Sequence, residues 1–335
     1  MADTSIATSS VEPAARRSWN VDELGTLIAL VIMVLIVGVF NPEFFRIDTL
    51  VNVLRQSTFF GIISLGMVFL LSMREIDLSV GSLYGVTITI GAKLMHDGMN
   101  PWLAAAIGVG LGAALGAFNG LVTNALRIST IIVTLGTLSM FRGITLLVSD
   151  QRPIGDLPTD HAFFRWFGKD YFRLPLASMV FVVLAVVLAV VFKRSRFGYS
   201  VRAIGSNDVA ARLGGIPTQR IRVYVMIIVG LLCGLSGMLT LAFFQSSDPN
   251  FGTGYELSVI AAAVIGGTTL SGGRGSVIGA LLGSITIGVI RAGLIFFGLQ
   301  PAWSTFTTGA IIIGAVTLDQ FVRRRKAVRA GDVAD

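Results

Sequence analysis

The stretch Leu174-Pro175-Leu176-Ala177-Ser178-Met179-Val180-Phe181-Val182-Val183-Leu184-Ala185-Val186-Val187-Leu188-Ala189-Val190-Val191-Phe192 contains no charged residue. Its length matches the roughly 20 residues of helix that cross a bilayer core. A second uncharged run extends from Val223 to Ser247. Of the 335 residues, 53% are apolar and 13% charged. A soluble fold carries roughly 25% charge, so too few charges exist here to cover one. The expected fold is all-α: a polytopic integral membrane protein with about ten transmembrane helices. Their centres fall near Ile32, Ser64, Val86, Gly112, Gly136, Val183, Val229, Val264, Ile287 and Ile312, the third and eighth being weaker and broken by glycine.

The charges lie between these spans and set an orientation. Lys193, Arg194, Arg196, Arg202, Arg212, Arg220 and Arg222 crowd one connector with Asp208 as its one acid, and Arg323-Arg324-Arg325-Lys326 follows the last span. Basic loops stay on the cytoplasmic side. Segment 150–173 balances its acids and bases and faces the periplasm. Its Phe163, Phe164, Trp166, Phe167, Tyr171 and Phe172 predict a short helix lying at the interface. Residues 1–24 read as a cytoplasmic tail, 25–322 as the transmembrane domain and 323–335 as a second cytoplasmic tail. Arg16-Arg17 is followed by Asp22 and Glu23 where a leader would turn apolar, so no cleaved signal is expected. The net charge of +7 belongs to these loops and does not point to nucleic acid.

Glycine is abundant, at 39 residues. Gly108, Gly112, Gly116 and Gly120 share one helix face, either as a seam for another helix or as the lining of a solute path. Gly230/Gly234 and Gly279/Gly283 have the same spacing. Asp77-Leu78-Ser79-Val80 resembles Glu256-Leu257-Ser258-Val259, either by chance or as the trace of an internal repeat.

Catalytic signals are weak. Gly267-Thr268-Thr269-Leu270-Ser271-Gly272-Gly273-Arg274 lacks the lysine and hydroxyl of a phosphate loop, so this chain is not expected to hydrolyse ATP. Cys233 is the single cysteine, and His96 and His161 are the two histidines. No metal site or cofactor is expected. Asn207 to Pro217 reads as a short helix, capped by Ser206 or Asn207 and closed by Gly214 or Gly215. It can fill a partner's groove or serve as a connector touching anionic lipid. A proline at Ala210 is expected to remove it. Asp77 either caps a helix starting at Leu78 or serves function as an ionisable group between spans.

Four blocks in order carry a resemblance. They are Ile76-Asp77-Leu78-Ser79-Val80-Gly81-Ser82; Thr134-Leu135-Gly136-Thr137 with Phe141-Arg142-Gly143; Gly205 to Ile216; and Gly252-Thr253-Gly254-Tyr255-Glu256-Leu257 running through Gly266-Gly267-Thr268 to Gly272-Gly273-Arg274-Gly275. From about Leu50 to Val322 the chain resembles the permease subunits of bacterial ABC sugar importers of the ribose type. The resemblance implies an inner-membrane protein with a second permease subunit, a cytoplasmic ABC ATPase subunit and a periplasmic sugar-binding protein as partners, besides membrane lipid.

It also implies an ATPase-coupling element at Gly205, Asn207, Asp208, Ala210, Ala211, Arg212, Leu213, Gly214, Gly215 and Ile216. There Asp208, Val209 and Gly214 replace the family's glutamate, alanine and serine. Arg74-Glu75 stand where the family usually has two glycines, a feature similar to branches for deoxyhexoses or autoinducer-2. Polarity within spans makes Asp77, Ser79, Asn119, Arg142 and Glu256 candidates for the translocation path. The rival readings are an ABC permease for nucleosides or branched-chain amino acids and an ion-coupled secondary transporter. An intramembrane hydrolase lacks its H-E-x-x-H.

Overall fold

The computed structural model describes residues 21–300 and 302–329; the expectations for segments 1–20 and 330–335 lie outside the described residues. In chain order the helices are α1 (Val21–Phe40), α2 (Ile47–Ser72), α3 (Val80–His96), α4 (Pro101–Leu126), α5 (Thr130–Val148), α6 (Ala162–Phe167), α7 (Leu176–Arg194), α8 (Arg196–Ser206), α9 (Asp208–Leu213), α10 (Thr218–Phe244), α11 (Tyr255–Ile265), α12 (Val277–Phe296) and α13 (Ala302–Arg329). A two-stranded hairpin, β1 (Asp170–Tyr171) and β2 (Leu174–Pro175), separates α6 from α7. The all-α reading holds. Each of the ten sequence-based span centres lies on a helix, and among the described residues seven helices are long and apolar enough to cross a membrane: Glu23–Phe40 within α1, then α2, α4, α5, α7, α10 and α12. The third and eighth centres fall on α3, with 17 residues, and α11, with 11. At 1.5 Å per residue α11 covers only about 16 Å of a hydrocarbon core about 30 Å thick.

Two helices form the middle of the bundle. In α2 83% of the apolar window is buried and in α10 78%, against 17% in α1. In lipid no hydrophobic force draws helices together, so close packing and hydroxyl bonds must do so. Ser64 of α2 meets Ser284 of α12 at 2.8 Å, Thr58 of α2 meets Ser178 of α7 at 3.0 Å, and Ser236 of α10 donates to the Phe59 carbonyl at 2.5 Å. Each such bond is worth about 1 kcal/mol in a membrane.

The glycine face of α4 is a packing seam. A Cβ on Gly112 would lie 2.3 Å from the Gly230 carbonyl oxygen, one on Gly116 2.2 Å from the Met226 carbonyl, and one on Gly234 2.8 Å from the Val109 Cα. Backbone therefore fills the space that a solute path would need, which excludes the lining alternative. Gly279 and Gly283 of α12 fit α11 in the same way, against Gly266 and Ala262.

The helix contacts follow a similar pattern in the two halves of the chain. Ser72, the last residue of α2, packs on Gly205 of α8, and Glu75 just beyond it pairs with Arg222 in the first turns of α10, so these two helices run in opposite directions. Around α10 pack α3 and α4, with α5 against α3 and α4; around α2 pack α11 and α12, with α13 against α11 and α12. The matched phrases both lie near the start of a short helix but not in the same place: Asp77-Leu78-Ser79 precede α3, whereas Glu256-Leu257-Ser258-Val259 lie within α11. Each short helix is reached through a non-helical segment, residues 73–79 before α3 and 245–254 before α11. Such segments are tolerated at membrane depth where protein surrounds them.

At the end opposite α8, the expected short aromatic helix is α6. Phe163 and Phe164 are buried, and Phe163, Trp166 and Phe167 surround the Trp102 ring with centroids 5.5–6.0 Å away. Arg55 holds Asp170 of the hairpin with two bonds of 2.5–2.6 Å.

Candidate functional site

Helix α9 is capped at both ends. Asn207 Oδ1 accepts from the Ala210 N–H at 3.0 Å. At the other end Gly215 takes φ 82°, its N–H donates to the Arg212 carbonyl at 2.9 Å, and the Ile216 N–H donates to the Ala211 carbonyl at 3.0 Å. That is the double closure a left-handed glycine permits. Asp208 and Arg212 pair across one turn on the exposed side. Only Ala211 is buried, whereas Val209 is 62% exposed and Leu213 86%, one turn apart on the same face. Ala210 stands in the first turn, so a proline there removes the cap bond, about 1 kcal/mol, and leaves the later bonds intact. That corrects the expectation from sequence. The helix-breaking position is Ala211, whose N–H donates to the Asn207 carbonyl at 2.9 Å.

The α8–α9 unit is joined to the bundle backbone against backbone. A Cβ on Gly205 would lie 1.7 Å from the Ser72 carbonyl oxygen and 2.6 Å from the Gly273 nitrogen. That same carbonyl accepts from the Gly273 N–H at 2.9 Å. Arg74 Nη2 donates to the Ser206 carbonyl at 3.1 Å. Arg74 has φ 64°, a left-handed conformation natural to glycine, so its bond to Ser206 offsets a local strain of about 1–2 kcal/mol. Glu75 forms an ion pair of 2.7 Å with Arg222 at the start of α10, and Arg222 also donates to Asn124 at 2.8 Å. Arg74 and Glu75 therefore tie segment 73–79 to both α8 and α10. Reversing one charge in Glu75→Arg should cut solute uptake several-fold; Glu75→Arg combined with Arg222→Glu should recover most of it, as expected for a half-buried pair whose members couple by about 0.5–3 kcal/mol. Uptake normalised to inserted protein measures this, and a double variant no better than the single one refutes the link.

Beyond Glu75 the segment enters the protein interior. The Leu78 N–H donates to Thr134 Oγ1 at 3.1 Å. Asp77 Oδ1 accepts from the Ser79 N–H at 2.7 Å and from the Ser79 hydroxyl at 2.6 Å. Asn119 Nδ2 donates to Ser79 Oγ at 2.8 Å. All three side chains are fully buried. Helix α3 begins at Val80 with Ser79 at the cap position, so Asp77 is not the cap of a helix starting at Leu78. It instead closes a turn onto Ser79, two residues ahead.

The other two path candidates lie at or next to segment 245–254 and α11. Arg142 of α5 reaches the Phe251 carbonyl and Asn250 Oδ1, each at 3.4 Å, and bonds Thr253. Glu256 lies in the first turn of α11. A Cβ on Gly81 would meet the Gly252 carbonyl at 2.3 Å and Glu256 Oε2 at 2.6 Å, so the first turns of α3 and α11 abut. Asp77, Ser79 and Asn119 thus form one network, and Arg142 and Glu256 lie on the α11 side of this junction without a bond to them. Sequence reasoning missed three residues here. Tyr84 and Tyr255 stack at 5.1 Å, and Arg291 bonds Ser258 with its guanidinium 5.1 Å above the Phe60 ring. The repeated four-residue phrase was the available signal for this place. His96 and His161 line one open cleft of about 530 Å³ with Met95, Asn100 and Asp156. Among the described residues no group of three His, Cys, Asp or Glu side chains is placed to hold a metal.

A family model described as a permease component of the branched-chain amino acid transport system matches residues 49–316. The ribose import permease protein RbsC of Bacillus subtilis (strain 168) is 37% identical over 299 residues, covering 89% of this chain and 92% of that protein. RbsC of Escherichia coli (strain K12) is 34% identical, covering 90% and 95%. The D-allose transport system permease protein AlsC of the same strain is 35% identical, covering 90% and 93%. A solved chain assigned to a metal-chelate type ABC transporter in an inward-facing conformation superposes with a TM-score of 0.51 at 13% identity, over 89% of this chain and 98% of that one, which supports the fold alone.

Proposed function

The chain belongs to the branched-chain amino acid transport system / permease component family, and on that premise we propose that it is the membrane-spanning permease subunit of an ATP-driven importer for a monosaccharide or related sugar. The observation that carries the mechanism is the continuous connection from α9 inward. An exposed, doubly capped helix is fixed through Gly205 to the end of α2, and segment 73–79 continues from there to the junction of α3 and α11. A push on α9 is delivered to the middle of the bundle through backbone contacts that have no slack. Interiors packed this closely transmit displacement instead of absorbing it.

The partners follow from the surfaces. A cytoplasmic ABC ATPase subunit receives α9 and supplies the hydrolysis; this chain is not itself an enzyme. A second permease subunit covers α5, where Gly136, Ser139 and Met140 are exposed beside the half-buried Arg142. A charged side chain in a span faces protein or a water-filled path, not lipid. A periplasmic sugar-binding protein meets the end carrying α6 and the histidine cleft. The protein is a multi-pass component of the bacterial inner membrane, with the α8–α9 side and both termini cytoplasmic because the basic connectors lie there. Reporter enzymes test this orientation: fusions after Asp335 should be active only in the cytoplasmic format and fusions at Asp160 only in the periplasmic one, and the reverse pattern overturns it.

The function is tested in sealed proteoliposomes. Uptake of ribose or allose should require the ATPase subunit, the binding protein and ATP, and leucine should not compete. Uptake by this chain alone under an ion gradient would instead establish an ion-coupled carrier.

A further inference from the structure

We propose that Asp77 is a buried proton-binding site, occupied at neutral pH, at which a neutral carboxylic acid completes a closed ring of hydrogen bonds with Ser79 and Asn119. Ser79 has one hydroxyl hydrogen and two close polar neighbours, Asp77 Oδ1 at 2.6 Å and the Asn119 amide at 2.8 Å. With Asn119 Nδ2 facing Ser79, the serine donates to Asp77 and the amide donates to the serine. Two acceptors then remain without a donor, Asp77 Oδ2 and Asn119 Oδ1, and both are buried. A proton on Oδ2 is the donor this arrangement lacks. It lets the acid give to the amide oxygen, the amide to the serine and the serine back to the acid.

Turning the amide over does not remove the need. Its oxygen would then sit 2.8 Å from Ser79 Oγ, and one serine hydrogen cannot serve two acceptors. The short contact left over again requires a proton from Asp77. A single water donating to both free oxygens would satisfy them, but it would leave a full negative charge. Among the described residues no ion pair balances that charge, and the positive end of α3, worth roughly half a charge, offsets only part of it. No ion pair among the described residues reaches Asp77, and its charged neighbours in sequence, Arg74 and Glu75, are committed to Ser206 and Arg222. The groups packed around it from other elements are neutral: Asn119 of α4, Thr134 of α5 beside Leu78, and the Cys233 thiol of α10, which donates to the Val80 carbonyl. An unpaired buried charge costs several kcal/mol, and a carboxyl group avoids it by keeping its proton.

The test reads the proton directly and is independent of the transported solute. Infrared spectra of the full-length protein in lipid at neutral pH should contain the C=O stretch of a protonated carboxyl group, and the difference between wild type and Asp77→Asn should contain its loss. A difference spectrum showing only the two carboxylate stretches overturns the proposal and favours the charged acid with a bridging water. If Asp77→Asn does not fold, Asn119→Ala serves instead. It keeps the acid and removes the acceptor of its O–H, so the carboxyl C=O band should move to higher frequency. An unmoved spectrum overturns the proposal equally.

Discussion

Gly205→Val should insert into the membrane in normal amount and support no ATP-driven uptake. The new Cβ alone would occupy a point 1.7 Å from the Ser72 carbonyl oxygen, where a carbon and an oxygen need about twice that separation. Neither neighbour is a side chain that can rotate away. One is the backbone at the end of α2 and the other the backbone of Gly273, itself at φ 75° and bonded to the same carbonyl. Overpacking of this kind costs about 1–3 kcal/mol or more and is relieved by moving whole elements. The element free to move is α8 with α9, because it lies outside the spans. The bundle should therefore survive while the connection from α9 to segment 73–79 is lost, lowering uptake at least about tenfold, the equivalent of 1.4 kcal/mol. Uptake normalised to inserted protein, with co-purification of the ATPase as a control, is the measurement. Wild-type uptake would show that Gly205 carries no motion.

Gly112→Leu should prevent accumulation of folded protein, and Gly110→Leu should not. The pair lies on one helix, two residues apart, with identical chemistry. A Cβ on Gly112 meets the Gly230 carbonyl at 2.3 Å and the Gly234 nitrogen at 3.0 Å, whereas one on Gly110 meets nothing within 4 Å. Leucine on Gly110 enters lipid, where it is as apolar as its surroundings. On Gly112 it forces apart the α4–α10 seam, and α10 is one of the two helices around which the bundle is organised. Expression and melting temperature in detergent read the difference. Equal behaviour of the two variants would mean that the seam opens freely.

The all-α, membrane-spanning fold was legible because its signal is additive. Each span repeats the same lack of charge, and glycine spacing marks one face of α4 as special, although that it packs on α10 is seen only in the structure. The short helices α3 and α11 were harder to read. In the sequence they are weaker and broken by glycine, but the non-helical segments 73–79 and 245–254 that shorten them are not marked in it. Helix α9 was legible because Asn207 and Gly215 are caps whose chemistry is local. What holds it was not: Gly205, Ser72 and Gly273 are far apart in sequence and meet through backbone atoms, which carry no residue code. Asp77 illustrates the same limit. A carboxylate before an apolar run looks like a cap, but three non-helical residues, Asp77, Leu78 and Ser79, separate Ile76 from α3, and the partner that matters is Asn119, on another helix.

The abutting first turns of α3 and α11 bear on the insulation of the cell's battery. Each helix N-terminus has the field of roughly half a positive charge, and here two are brought together at Gly81 and Gly252. Glu256 Oε2 lies at the same place, so a carboxylate and two positive helix ends meet there and largely offset one another. Any small ion slipping across would dissipate about 2.3 kcal/mol per charge for each 100 mV of membrane voltage. Backbone packed on backbone at Gly81 and Gly252 leaves no space for a file of water there, and a cell can keep such an importer in its membrane at rest without discharging the gradient that supports it.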